Sequence, residues 1–129
     1  MPIKDLAEQY AVAWRNSVAN GDVARWEAFF HPDFVLHPGT KDIGLAAYRQ
    51  HQVDMHERAQ VISMDIKYVT SDQFLFALEF SGHFRLTNDL PGLPGAAGKE
   101  IKSHALCLFR VDNGKIVEEW AKTTVTGLA

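Results

Sequence analysis

A turn signal near the carboxyl end of the chain limits the possible folds more than any other feature. The letters DNGK, residues 112–115, separate two β-prone runs, FRV before them and IVEEW after them. Turn-forming Asp, Asn and Gly between two such runs are a strong signal for a β-hairpin. Each arm continues well past the turn, from about Lys99 into Val111 and from Lys115 to about Val125. The sequence therefore predicts a long ribbon of two strands that forms the floor of a sheet, which the rest of the chain must cover.

The size and composition indicate one soluble globular domain over residues 1–129. A chain of 129 residues has room for a single core, and 47% of the residues are hydrophobic and 22% charged, as in soluble proteins. No apolar run approaches the ~20 residues that cross a bilayer, so we expect no membrane insertion. The first residues, MPIKDLAEQY, lack the pattern of a secretory signal, and the single cysteine permits no intrachain disulfide. Both features favour a cytoplasmic location.

The charge pattern argues against nucleic acid as a partner. The formal net charge is −3, from 13 basic and 16 acidic residues scattered along the chain. A nucleic-acid surface needs clustered basic residues, and no such stripe is visible. The segment 88–99, NDLPGLPGAAGK, is predicted to be a loop. It fails as a phosphate-binding loop, because no glycine has the required spacing before Gly98-Lys99 and Glu100 follows where Ser or Thr is needed.

The first half of the chain predicts three helices. Leu6, Tyr10, Trp14 and Val18 recur every four positions in the run 4–20, which is the pattern of an amphipathic helix. Capping residues and a proline bound the other two helices, which run from Asp22 to Pro32 and from Thr40 or Asp42 to about Arg58.

Period-two alternation then replaces the helical period. The segments 62–68 and 74–87 alternate in this way, and the short apolar run 33–37 is predicted to be a brief strand. One face of the sheet is predicted to carry Phe74, Phe76, Leu78 and Phe80 from one strand and Ala105, Cys107, Phe109 and Val111 from the next. The opposite face is also half apolar, so it needs a cover. With only three helices available for the first face, we expect a homodimer through the sheet.

The order of elements and three segments resemble a known family. Helix, helix, short strand, helix and then four long strands is the order of a curved α+β cone. The segments GDVARWEAFFHPDFVLHPG, LPGLPGAAGKE and FRVDNGKIVEEW, the last followed by Gly127-Leu128, resemble the SnoaL-like polyketide cyclase branch of the nuclear transport factor 2-like superfamily. The resemblance covers essentially the whole chain. It implies a bent, mostly antiparallel sheet wrapped around three helices, an apolar pocket inside the cone, and dimerisation through the outer sheet face.

The resemblance also implies a range of reactions. Relatives include cyclases that perform cofactor-free intramolecular aldol closure, isomerases, dehydratases and epoxide hydrolases. In the cyclases, an Asp four residues after the Trp of the last strand acts as acid/base. Counted from Trp120, that position is Thr124 here, and a threonine cannot exchange a proton near neutral pH as a carboxylate can. The cyclase mechanism therefore does not carry over intact.

Two histidines are the first candidates to replace that carboxylate, because imidazole titrates near neutral pH. His37 ends the strand expected beside the mouth of the cone, and His51 lies next to Tyr48 and Met55 on the helix expected to close the mouth. We expect the two imidazoles and the Tyr48 hydroxyl to converge, with Tyr48 or Thr124 orienting a substrate oxygen. The alternative is that His37 caps the following turn and His51 is a solvated helix residue.

Glu118 is the third catalytic candidate. It shares strand parity with Ile116, Trp120 and Thr124. If Trp120 faces the cavity, a neighbouring carboxylate in apolar surroundings has a raised pKa and can act as a base. The alternative is a solvated or salt-bridged glutamate. The predicted substrate contacts are aromatic, apolar or hydroxyl side chains, namely Trp14, Tyr48, Met55, Phe76, Trp120 and Thr124.

We expect no metal and no cofactor. The pattern His-Glu-x-x-His is absent, and no group of Asp, Glu and His has the spacing of metal ligands. Cys107 lies between two leucines, which favours a buried structural thiol over a nucleophile. His83 and His104 fall on the sheet face assigned to the dimer, so we expect an interface role for both.

Three functional hypotheses remain open. The first is an enzyme that performs ring closure, isomerisation or dehydration by cofactor-free proton transfer on an apolar or aromatic, oxygenated small molecule. The second, favoured by the missing Asp, is a non-catalytic ligand-binding or dimerising module of the same fold. The third is a protein-interaction adaptor.

Overall fold

The computed structural model describes residues 2–127 and confirms the predicted α+β architecture, in which a curved sheet wraps around three helices. The elements follow the chain as α1 (Ile3–Ala19), α2 (Val23–Glu27), β1 (Phe30–His37), β2 (Ile43–Gly44), α3 (Leu45–Arg58), β3 (Ala59–Ser71), β4 (Leu75–Leu86), β5 (Glu100–Asp112) and β6 (Lys115–Thr126).

All six strands belong to one sheet with the order β2-β1-β6-β5-β4-β3. The pair β1 and β6 is parallel and every other pair is antiparallel. The predicted hairpin joins β5 to β6, and Asn113 and Gly114 in its turn have φ angles of 49° and 75°. Both residue types tolerate positive φ, which a tight two-residue hairpin turn requires. The hairpin prediction is therefore confirmed.

A β-bulge sits just after this hairpin. Val111 pairs with Ile116, whereas Arg110 pairs with Glu118, so Val117 is an extra residue in β6. An extra residue reverses the side-chain alternation of the rest of the strand. Beyond the bulge, Glu119 therefore points to the concave face of the sheet, the same face as Ile116.

Several predicted boundaries are wrong. The second helix ends at Glu27, and the predicted strand 33–37 begins earlier, at Phe30. The third helix begins at Leu45, and its N-cap position is taken by Gly44, the second residue of β2. Phe74 is predicted to share a strand face with Phe76, but Phe76 is fully buried and Phe74 is 63% exposed. It precedes the strand, in a turn where Asp72 Oδ1 accepts hydrogen bonds from the two N–H groups that follow.

The helices cover the concave face and form one main core with it. Tyr10 of α1 is fully buried and makes edge contacts with Phe29, Phe30 and Phe109 at centroid distances of 5.1 to 5.7 Å. A second core cluster includes Phe84 and lies where the end of β4, the loop after it and the start of β5 meet. No helix within residues 2–127 combines the length and the apolar character needed to cross a membrane.

Candidate active site

A cavity of about 330 Å³ lies between the helices and the concave face of the sheet. Its walls are mainly apolar, with a few polar side chains that come from α3 and from β4, β5 and β6. This is the usual composition of a small-molecule pocket. The lining residues that matter for the chemistry are Trp14, Tyr48, His51, Gln52, Phe80, Ser103, Cys107, Glu119 and Thr123.

Glu119 is the carboxylate of this cavity. Its side chain is only 1% exposed, and burial raises its pKa from 4.5 to about 8. Tyr48 and the Cys107 thiol donate hydrogen bonds to the carboxyl group and oppose this rise. Within residues 2–127, Oε1 of Glu119 has no hydrogen-bond partner. A buried carboxyl oxygen without a protein partner can still accept a hydrogen bond.

The neighbours of Glu119 are themselves held neutral. Burial raises the pKa of Tyr48 and that of Cys107, and the nearby Glu119 charge raises both further. Near neutral pH, Tyr48 is therefore a phenol and Cys107 a thiol, so both act as donors toward the carboxyl group. A thiol of this kind is a poor nucleophile. Glu119 is the group at this end of the cavity that exchanges a proton near neutral pH.

Helix α3 contributes His51 and Gln52 to the cavity wall. His51 is exposed to solvent although it lines the cavity. Nearby protein atoms lower its pKa from 6.5, and the Asp54 charge partly offsets this effect. Gln52 is buried, and its Nε2 donates to Ser17 Oγ at 2.9 Å. The Ser17 hydroxyl in turn donates to the Trp14 carbonyl at 2.7 Å. These bonds fix the orientation of the Gln52 amide between α1 and α3.

The predicted cavity position of His37 is wrong. In β1 the buried residues are Phe30, Phe34 and Leu36. His37 follows Leu36 directly, so it points to the convex face. There its Nε2 lies 2.6 Å from Glu118 Oε2 and its Nδ1 lies 2.9 Å from Asp42 Oδ1. Hydrogen bonds to these two carboxylates raise the pKa of His37. His37 and His51 therefore do not converge.

Glu118 and Trp120 also lie on the convex face, contrary to the prediction. The bulge at Val117 reverses their direction relative to Ile116. Glu118 accepts hydrogen bonds from His37 and, at 3.0 Å, from Arg110 Nε, and these lower its pKa. Trp120 is 38% exposed and its ring stacks on His37 at a centroid distance of 5.4 Å.

The other predicted contacts divide between the cavity and the core. Trp14, Tyr48 and His51 line the cavity, and their roles in binding or catalysis stay predictions. Thr124 does not line it, because the bulge turns this residue outward as well. Two further residues lie in the core instead: Phe76 stacks on Phe109 at 4.6 Å, and Met55 packs against the second core cluster.

The sequence contains a signal for Glu119, the cavity carboxylate that simple parity does not select. Glu118 and Glu119 are consecutive in a strand, so one of them must face each side of the sheet. Parity counted from Ile116 selected Glu118, and the bulge makes Glu119 the inward one. The described part of the chain holds no group of three or more His, Cys, Asp or Glu side chains arranged for one metal ion.

Comparison with known proteins identifies the family. The model of the SnoaL-like polyketide cyclase family matches residues 4–128. The chain belongs to this family. None of the curated proteins matches it in sequence.

Solved structures show the same fold. TsrD from Streptomyces laurentii superposes with a TM-score of 0.77 at 14% identity, over 92% of this chain and 88% of that one. An NTF2-like protein from Anabaena variabilis gives 0.70 at 18%, over 95% and 90%. An LEH-like epoxide hydrolase of M. tuberculosis gives 0.65 at 18%, over 95% and 86%. At these identities the likeness concerns the fold alone, so the reaction must be argued from the cavity.

Proposed function

We propose that this member of the SnoaL-like family is a small-molecule enzyme that transfers a proton without a cofactor, with Glu119 as its acid/base. Ring closure, isomerisation and dehydration are the reaction types that such a transfer serves. The observation that carries the proposal is the position of Glu119, a buried carboxyl group with a pKa of about 8 and an unpartnered oxygen beside an open apolar cavity. A catalytic group is most effective when its pKa lies near the working pH.

The cavity favours an uncharged ligand. Among the described residues that line it there is no Lys or Arg, and the lowered pKa of His51 keeps that imidazole neutral. An anionic ligand would meet Glu119 without a compensating cation. Trp14, Phe80 and Tyr48 offer aromatic walls. We therefore propose an apolar or aromatic molecule with a carbonyl or hydroxyl oxygen as the substrate.

Deuterium exchange at acidic C–H groups tests the proposal without knowledge of the natural product. A panel of uncharged aromatic ketones is incubated with the protein in D₂O, without added metal or nucleotide, and exchange next to the carbonyl is followed by NMR. Wild-type protein is expected to accelerate exchange for the compounds that fit. Glu119→Gln is expected to lose about 10²- to 10⁴-fold of that acceleration, the usual contribution of a positioned acid/base.

The neighbouring glutamate provides a matched control. Glu118→Gln changes the same side chain one position earlier, on the convex face, and is expected to keep most of the exchange activity. Equal loss in both variants would contradict the assignment of Glu119. Compounds that bind in the cavity with no exchange above background would favour the alternative, a non-catalytic ligand-binding module.

We also propose that the protein is cytoplasmic and forms a homodimer through the convex face of the sheet. Leu106, Leu108 and Trp120 are 51%, 38% and 38% exposed and lie on neighbouring strands of the convex face. Leu108 and Trp120 are directly paired. A contiguous apolar patch of this kind is typical of an interface. A second copy of the chain is the proposed cover.

A further inference from the structure

The side-chain amide of Gln52 is a second polar group buried at the wall of the cavity. Gln52 lies on α3, lines the cavity and is 1% exposed. The other four glutamines of the chain are exposed, namely Gln9, Gln50, Gln60 and Gln73. An amide carries both a donor nitrogen and an acceptor oxygen. The hydrogen bonds of Gln52 therefore decide which of the two the cavity receives.

The proton of the Ser17 hydroxyl fixes the orientation of this amide. Ser17 Oγ lies 2.7 Å from the Trp14 carbonyl oxygen, and two oxygens at this distance need a proton between them. A carbonyl group has no proton, so the single proton of Ser17 serves this bond. Ser17 Oγ can then only accept from Gln52, whose Nε2 lies 2.9 Å away. A reversed amide would place two acceptor oxygens against each other, so Gln52 Oε1 points away from Ser17.

The Gln52 oxygen consequently meets open space. Within residues 2–127 it accepts no hydrogen bond, and the fully buried side-chain atoms there that lack a partner are Arg58 Nε and Glu119 Oε1. Gln52 Oε1 is therefore neither paired nor enclosed by protein. Because Gln52 borders the cavity and is 1% exposed, the cavity is the space that this oxygen meets.

A ligand in the cavity must interact with this oxygen. The volume of about 330 Å³ has room for water, which can donate to Oε1 before a ligand enters. A ligand that fills the cavity displaces this water. It then either supplies a donor of its own or leaves a buried acceptor unpaired. Sites of this kind reject analogues that lack the matching polar group.

We infer that Gln52 is a specificity-determining residue, whose side-chain oxygen accepts a hydrogen bond from a hydroxyl group of the substrate. The inference deepens the proposed function and rests on it, because the cavity is taken as the substrate site. Glu119 belongs to the sheet and Gln52 to α3, so the two residues approach a ligand from different walls. The substrate class is thereby narrowed to uncharged molecules that carry a hydroxyl group in addition to the carbonyl group on which Glu119 acts.

Matched ligands test this preference. The panel consists of tetralones, which are bicyclic aromatic ketones, with one hydroxyl group at each ring position in turn, and of counterparts with a methyl group in its place. Dissociation constants for the full chain are measured by isothermal titration calorimetry. At least one hydroxyl ligand is expected to bind about 10- to 100-fold more tightly than its methyl counterpart, because the methyl group leaves a buried acceptor unpaired.

Three variants show whether Gln52 causes the preference. Gln52→Met removes the acceptor but keeps the length of the side chain, so the preference for the hydroxyl ligand should disappear. Ser17→Ala frees the amide to turn its nitrogen toward the cavity and should lower the preference several-fold. Gln50→Met is the matched control, because Gln50 is exposed on the same helix and bonds Asp54 at 3.1 Å. It should keep the preference of the wild type.

A second measurement needs no variant at position 52. Glutamine labelled with ¹³C at its side-chain carbonyl is incorporated, and the four exposed glutamines are replaced one at a time to assign their signals. The remaining signal belongs to Gln52. A hydrogen bond to Oε1 should move this signal downfield when the preferred hydroxyl ligand binds, whereas the methyl counterpart should not. Equal shifts with both ligands would contradict the inference.

The outcomes separate this inference from the proposed function. A wild type without any preference, or a preference that survives Gln52→Met while Glu119→Gln loses deuterium exchange, would overturn the role of Gln52 alone. If exchange survives Glu119→Gln and the preference is lost in Gln52→Met, the proposed catalysis is overturned and Gln52 remains a binding determinant. If none of the hydroxylated tetralones binds, the cavity is not a site for this class of molecule and the inference fails.

Discussion

The burial of Glu119 makes the stability of the fold depend on pH. A carboxyl group buried in apolar surroundings favours its neutral form, which is why its pKa lies near 8 rather than 4.5. Between these values the folded chain keeps a proton that the unfolded chain releases. Stability must then fall as the pH rises through this window, because the unfolded state binds fewer protons.

The fall in stability with rising pH gives a prediction for Glu119→Gln. The free energy of unfolding of the wild type is expected to decrease by a few kcal/mol between pH 5 and pH 8, and the variant should lack most of that decrease. Urea unfolding at the two pH values measures the difference. If the variant and the wild type lose equal stability over this range, Glu119 is not the buried titrating group.

Glu118→Gln is again the matched control, because its sign is opposite. Hydrogen bonds from His37 and Arg110 lower the pKa of Glu118. Its contribution to stability is present above the pKa of the unfolded chain and is lost as the pH falls through the lowered value. The variant should therefore differ from the wild type mainly above about pH 5 and should keep the decrease toward pH 8.

One extra residue in β6 decides which side chains the cavity receives. The fold itself was predictable, because helical and strand periods are local properties of the sequence and the Asn-Gly turn fixes the register of the hairpin. The bulge at Val117 has no comparable local signal. It depends on how β6 pairs with β5 on one side and with β1 on the other. Parity counted through the bulge therefore places Glu118, Trp120 and Thr124 on the wrong face.

The assignment of His37 failed for a related reason. Nothing in the letters 33–37 shows which side of β1 meets the helices. Pairing with β6 settles it and places His37 opposite Trp120. By contrast, the predictions for Trp14, Tyr48 and His51 relied on helical faces, which one apolar stripe defines well. All three line the cavity.

In its outward position His37 can hold the segment at the cavity mouth through its pairing with Asp42. It ends β1 and pairs with Asp42 just before β2, so the segment 38–42 is held at both ends. Pro38 and Ile43 of this region line the cavity. Hydrogen bonds to Glu118 and Asp42 raise the pKa of His37, so the pairing is complete below its ordinary pKa and is lost as the pH rises through the raised value.

His37→Gln is therefore expected to make residues 38–42, at the cavity mouth, more mobile. Amide hydrogen exchange of a peptide covering residues 38–44, corrected for the intrinsic rate, should be faster in the variant than in the wild type at pH 6. The wild type should approach the variant as the pH rises. His31→Gln replaces an exposed histidine at the start of the same strand and should change nothing there. Equal protection in all three proteins would contradict the role of the His37–Asp42 pair in holding residues 38–42.

The two faces of the sheet differ in composition and cover. Its concave face receives the helices and encloses the cavity, whereas the convex face carries an apolar centre of Leu106, Leu108 and Trp120. Polar pairs border this centre, such as Glu79 and His104, whose Oε2 and Nε2 atoms lie 2.9 Å apart. An apolar centre with a polar rim is the usual anatomy of a protein interface.

A dimer through this face predicts a strong effect of one charge at its centre. In a two-fold symmetric dimer, each substitution occurs twice in the interface. Leu106→Lys loses the burial of a leucine, about 1.5–3 kcal/mol per copy, and places two like charges close together. We expect the dissociation constant to rise by at least about 100-fold, so that light scattering after size exclusion shows a monomer.

Leu93→Lys is the control, because Leu93 is also exposed, at 45%, but lies in the loop after β4. It should remain dimeric. A wild-type protein that is monomeric at all concentrations would refute the dimer, as would a Leu106→Lys dimer of unchanged stability. Because Glu119 and its hydrogen-bond partners all lie on the concave side, the Leu106→Lys monomer should also retain the raised pKa of Glu119. Loss of that raised pKa in a folded monomer would show that the second copy helps to shape the cavity.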